Sequence, residues 1–112
     1  EGYGFGPMAY DNWMRAIKAG SGASHGNWWN GTVWGECRKM LSRYFDEITA
    51  RLPRGAGSEL ARKYAEIARL LVEVSDRQRP AGDQIERLCA AKTLEEEAVE
   101  LLESCVSAFS AS

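Results

Sequence analysis

Few side chains in this 112-residue chain could do chemistry. The one histidine, His25, stands twelve residues ahead of Cys37, the nearest of three cysteines. A thiol becomes a nucleophile when a base such as imidazole takes its proton, so these two residues form the pair to consider. The periodicity predicts that Cys37 lies on the apolar stripe of a helix, where burial raises a thiol pKa and a cysteine serves as a small hydrophobe. No catalytic residue is assigned on that basis. Glu95, Glu96, Glu97, Glu100 and Glu103 form an acidic run, but they avoid the Leu94, Ala98, Leu101, Cys105 stripe. They read as a solvated face, with the first of them favourably placed in an opening helical turn. A dinuclear metal site in a helical bundle needs Glu-x-x-His pairs on facing helices, which a single histidine cannot supply. Cys37, Cys89 and Cys105 are widely spaced and contain no C-x-x-C pair, so they predict three reduced, buried thiols and neither a metal site nor any other cofactor.

Recognition is the remaining possibility. Three of the four tryptophans fall in Gly26-Asn27-Trp28-Trp29-Asn30-Gly31-Thr32-Val33-Trp34. Trp29 and Trp34 share a helical stripe with Val33 and Cys37, which predicts that they are core. His25, Asn27, Trp28 and Asn30 are left to face a ligand or a partner, offering an apolar wall beside hydrogen-bonding groups.

These residues must be positioned by helices, since the chain contains no β-alternating segment. With 45% hydrophobic and 27% charged residues it has the balance of one globular domain over 1–112. Pro7 suits a first helical turn, Gly20 a left-handed stop, and Tyr10, Trp13, Met14 and Ile17 mark one stripe between them. Residues 20–26 read as a flexible connection. A second helix follows, capped by Asn27, Asn30 or Thr32, with Trp29, Val33, Trp34, Cys37, Met40, Leu41, Tyr44, Ile48 and Leu52 facing inward until Pro53. Ser58 caps a third helix whose stripe is Leu60, Ala61, Tyr64, Ile67, Ala68, Leu71 and Val74. After Asp83, the Ile85, Leu88, Cys89 face and the Leu94, Ala98, Leu101, Cys105, Phe109 face fall out of phase. Thr93-Leu94-Glu95-Glu96 resembles a capping box, so a break near Lys92 is predicted between helices 83–91 and 93–109. The expected fold is all-α, an up-and-down bundle of four main helices plus one short helix.

Charge is unevenly divided: residues 1–80 carry 12 basic and 9 acidic side chains, residues 81–112 carry 2 and 7. Acids alternate with the basic residues, so no concentrated positive field exists for a phosphate backbone, and nucleic acid is not expected as a partner. The apolar runs are far shorter than the roughly 20 residues of a membrane span. The opening Gly2-Tyr3-Gly4-Phe5-Gly6 follows no strand and lacks the spacing of a dinucleotide loop. Asn30-Gly31-Thr32 matches a glycosylation sequon, yet no signal peptide precedes it and the first residue is Glu1, which leads us to expect a cytoplasmic fragment of a larger protein.

Three strings carry a resemblance: Gly6-Pro7-Met8-Ala9-Tyr10-Asp11-Asn12-Trp13, His25-Gly26-Asn27-Trp28-Trp29-Asn30, and Val33-Trp34-Gly35-Glu36-Cys37-Arg38. They resemble the helical region that follows a papain-like domain in bacterial BtrH-like and C39-peptidase-like proteins of unknown function. The resemblance covers about the first half of the chain. It implies a helical companion to a cysteine-dependent hydrolase or acyltransferase fold whose nucleophile lies elsewhere, and it gives no catalytic role to Cys37, which lacks the glycines and aromatic of a papain-type nucleophile. The first expectation is therefore a non-catalytic accessory module that packs against a neighbouring domain or a partner protein. A small-molecule site at the aromatic end of the bundle is the second, and a free-standing cysteine enzyme the third.

Overall fold

The computed structural model of the chain describes residues 7–48, 51–52 and 55–111, with side chains placed for 9–20, 22–48, 51–52 and 55–105. The expectations for Gly2–Gly6, for Pro53 and for the Phe109 side chain lie outside these. Among the described residues four α-helices form: α1 (Pro7–Ala16), α2 (His25–Glu47), α3 (Ala56–Val74) and α4 (Ala81–Ala111). This is the expected all-α, up-and-down bundle. Residue pairs across each interface fix the direction of every helix. Asp11 meets Lys92 and Met14 meets Cys89. Asn27 reaches Val74 while Ser42 reaches Ala61, and Glu73 bonds Arg87 while Lys63 bonds Glu97. Each helix thus runs antiparallel to its packing neighbour.

The α1 stripe is as expected, with Tyr10 and Ile17 sealed in the core and Trp13 nearly so. A π-helical turn (Ile17–Ser21) follows, and Gly20 takes φ 108°, a left-handed value that favours glycine. In place of a loop to residue 26, Ser24 caps α2 by accepting a hydrogen bond from the Asn27 amide at 3.0 Å. Helix α3 begins two residues before Ser58, after Gly55 at φ 79°. Its predicted stripe is buried throughout.

Two of the predicted faces are in the wrong phase, and for the same reason. Helix α4 runs unbroken through Lys92. Among its described side chains the buried ones are Gln84, Leu88, Ala91, Glu95, Ala98 and Cys105, with Leu102 packed beside them. These alternate four and three apart along the helix, so a straight helix buries one continuous seam. Excluding Gln84 and Glu95 from the core as polar created the apparent change of face. Thr93 is no cap: its Oγ1 donates to the Cys89 carbonyl one turn back, at 3.2 Å.

Helix α2 ends at Glu47, short of the Leu52 expected of it, and its seam is Asn27, Gly31, Trp34, Arg38, Leu41 and Phe45, again four and three apart, with Ile48 and Leu52 packed on the core beyond its end. Trp34, Leu41, Ile48 and Leu52 pack inward as predicted. Trp29, Cys37, Met40 and Tyr44 do not; all four are exposed. The small residues decide the orientation. A Cβ on Gly31 would lie 2.6 Å from both the Leu71 carbonyl oxygen and Ser75 Cβ, and one on Gly35 would lie 2.9 Å from Val72 Cγ2. Helix α2 approaches α3 through these glycines, and the large apolar side chains on the opposite face turn outward.

Candidate interaction surface

The N-terminal turn of α2 separates the four residues singled out in the sequence. His25, Trp28 and Asn30 are exposed. The His25 and Trp28 ring centroids lie 5.3 Å apart, and those of Trp28 and Trp29 lie 6.4 Å apart. Asn27 is corrected to an interior residue, 4% exposed. Its Nδ2 donates to the Gly22 and Val74 carbonyls, both at 2.8 Å, and its Oδ1 accepts from Trp13 Nε1 at 2.7 Å. Both amide hydrogens are used. Asn27 therefore ties α1, the π-helical turn and the end of α3 together, and nothing of it remains for a partner. Gln84 completes this junction, its Nε2 lying 2.9 Å from the Gly22 carbonyl and 3.1 Å from those of Val74 and Asp76.

A second polar layer crosses the middle of the bundle. Arg38 Nε donates to Glu95 Oε1 at 3.0 Å, and the Tyr10 hydroxyl donates to the same oxygen at 3.2 Å. The Arg38 guanidinium stands 5.8 Å from the Trp34 ring centroid. Burial is the main cause that pushes the Tyr10 and Tyr64 phenols above their ordinary range; the Glu95 carboxylate adds to it and Arg38 opposes it. Glu95 is thus corrected from a solvated acid to a buried one, whereas Glu96, Glu97, Glu100 and Glu103 are exposed as expected. Its spacing carries a signal, since Glu95 lies four after Ala91 and three before Ala98 in the buried seam.

Cys37 is corrected from a buried to an exposed thiol, and so is Cys89. Cys105 is buried as expected. His25 and Cys37 belong to the same helix, and twelve residues of helical rise set them about 18 Å apart along its axis. The imidazole cannot take the Cys37 proton at that distance. Among the described residues no group of three His, Cys, Asp or Glu side chains is gathered as a metal site, and no helix is long and apolar enough to cross a membrane.

The outer face of α2 carries large apolar residues expected in the core. Trp29, Val33, Cys37, Met40 and Tyr44 recur at four, four, three and four, which keeps them on one side of the helix. Trp29 is 56% exposed, Met40 61% and Tyr44 53%. The stripe extends about 22 Å, and the aromatic group of His25 and Trp28 lies at its N-terminal end. Beside it, between α2 and α3, lies a surface groove of about 510 Å³ lined by Gly35, Glu36, Lys39, Arg43, Ala68 and Val72 among others. None of the four sequence-predicted residues lines this groove.

Comparison with known families, with curated proteins and with solved structures returns no match.

Proposed function

We propose that this bundle is a non-catalytic interaction module, an accessory domain of a larger bacterial protein, and that it docks on a protein partner through the outer face of α2. One observation carries the reading: Trp29, Met40 and Tyr44, each more than half exposed, stand on one face of a helix whose opposite face is already buried. A soluble helix normally presents charged and polar residues on that side. Contiguous exposed apolar side chains, two of them aromatic, have the composition of the centre of a protein interface. The resemblance of its first half to helical companions of papain-like domains supports the accessory role. Tyr10, Trp13, Asn27 and Arg38 within the resembling strings are bonded inside the bundle, so those strings encode the scaffold that presents the face.

The test compares two forms of the same triple substitution, Trp29→Ser, Met40→Ser and Tyr44→Ser. In the isolated chain at high dilution the melting temperature should shift little, because the positions are exposed. In the native gene product it should fall clearly, because a bound surface adds stability by linkage. Equal, small shifts in both would refute the reading.

A further inference from the structure

We propose that the partner taken by the outer face of α2 is a second copy of this chain, bound antiparallel through the same face. The inference rests on the reading of that face as an interaction surface and adds the identity of the occupant. Its basis is a match between spacing and charge.

Val33, Cys37, Met40 and Tyr44 follow one another at four, three and four residues, the spacing of a coiled-coil seam, with Cys37, Met40 and Tyr44 exposed and Val33 half-buried. Laid antiparallel on itself, the seam forms four layers. Val33 meets Tyr44 of the second copy, Cys37 meets its Met40, and the two-fold axis repeats both layers in reverse. An interface of this kind is self-complementary by symmetry.

That register also settles the charges. Glu36, Lys39 and Arg43 lie along one flank of the seam, are all exposed, and have no ion pair to another described residue. In an antiparallel helix pair like flanks meet. The register that layers Val33 on Tyr44 brings Glu36 between Lys39 and Arg43 of the second copy, within about 3 Å of axial offset from each, and symmetry makes the arrangement occur twice. One flank of one helix thus holds an acid and two bases that form no ion pair among the described residues and pair across the dyad. Trp29, just beyond the last layer, covers the end of the seam. The groove lined by Glu36, Lys39 and Arg43 runs along this flank. A single helix face about 22 Å long falls short of the roughly 800 Å² per partner of a standard interface, so association is expected at micromolar concentrations or above.

Sedimentation equilibrium of the 112-residue chain at low salt reads the proposal directly. Wild type should associate to a dimer in a concentration- and salt-dependent way. Glu36→Lys should weaken that association at least about tenfold, by placing a third cation between Lys39 and Arg43, and Lys39→Glu with Arg43→Glu should do the same by gathering three acids. Mixing the two variants should restore a heterodimer, since each then supplies what the other lacks. A wild-type chain that stays monomeric to millimolar concentration would overturn the proposal, and so would variants that neither weaken the dimer nor recover on mixing. These substitutions leave the apolar stripe intact. A monomeric chain whose Cys37 is nevertheless shielded in the native gene product would mean that the face serves a different partner; an unshielded Cys37 would remove both proposals.

Discussion

Arg38 and Glu95 form an ion pair across the interior of the bundle, 3.0 Å from Nε to Oε1, with each side chain 9% exposed. The pair joins α2 to α4, and Tyr10 brings α1 to the same carboxylate oxygen. Three helices thus converge on one buried charge. Replacing Arg38 by Met alone strands that charge and is expected to cost about 3–5 kcal/mol, while Arg38→Met with Glu95→Leu recovers most of the loss. Urea denaturation of the two variants and their double mutant checks this, and equal losses in the single and the double variant would contradict it.

Alkaline pH probes the same layer. The Tyr10 phenol is held above its ordinary value of 10.0, chiefly by burial. Below pH 10 the hydroxyl is protonated in both the folded and unfolded chain, and its contribution to stability is fully present. Above pH 10 the unfolded chain loses the proton while the folded chain retains it, so stability falls as pH rises. Tyr10→Phe should reduce this slope between pH 9 and about 11 without removing it, since the Tyr64 phenol is raised as well. Thermal melts of wild type and variant across that interval provide the comparison, and unchanged slopes would count against the buried phenol.

Asn27 and Trp28 are adjacent in sequence and opposite in role. Asn27→Ala removes three buried hydrogen bonds and leaves the Trp13 indole without its acceptor, at an expected cost of about 2–4 kcal/mol. Trp28→Ala takes away a partly exposed ring and should cost less than about 1 kcal/mol. Chemical denaturation separates the two, and a reversed order would show that the junction is not the structural clamp.

The glycines of α2 should differ in sign. Gly31→Ala introduces a Cβ 2.6 Å from the Leu71 carbonyl oxygen and should destabilise by about 1–3 kcal/mol even though alanine favours helix. Gly26→Ala meets only Ser24 Oγ, at 3.8 Å, and should stabilise by up to about 1 kcal/mol. Melting temperatures moving in the same direction would contradict the close approach of α2 to α3.

Much of the fold can be read from apolar spacing. The α1 and α3 stripes are correct because every member is apolar. On α2 and α4 the seams contain Asn27, Arg38, Gln84 and Glu95, and α2 adds Gly31. Apolar periodicity passes over such positions. On α4 it split one seam into two faces, and on α2 it included an exposed stripe as rich in large apolar residues as the buried one. The sequence contains the corrective signal, an unbroken four-and-three alternation through the polar residues, but only contacts with α1 and α3 show which face they bury. The same blindness placed Cys37 in the core and Asn27 on the surface.

Cys37 is a reporter built into the outer face of α2. The most direct measurement is the rate at which iodoacetamide alkylates Cys37, followed by mass spectrometry of its peptide, in the native gene product and in the 112-residue chain at high dilution. Reaction should be at least about tenfold slower in the native gene product, with the fast rate restored by the triple serine substitution at Trp29, Met40 and Tyr44. Equal rates in the two forms would show that the face remains in solvent and that no partner covers it.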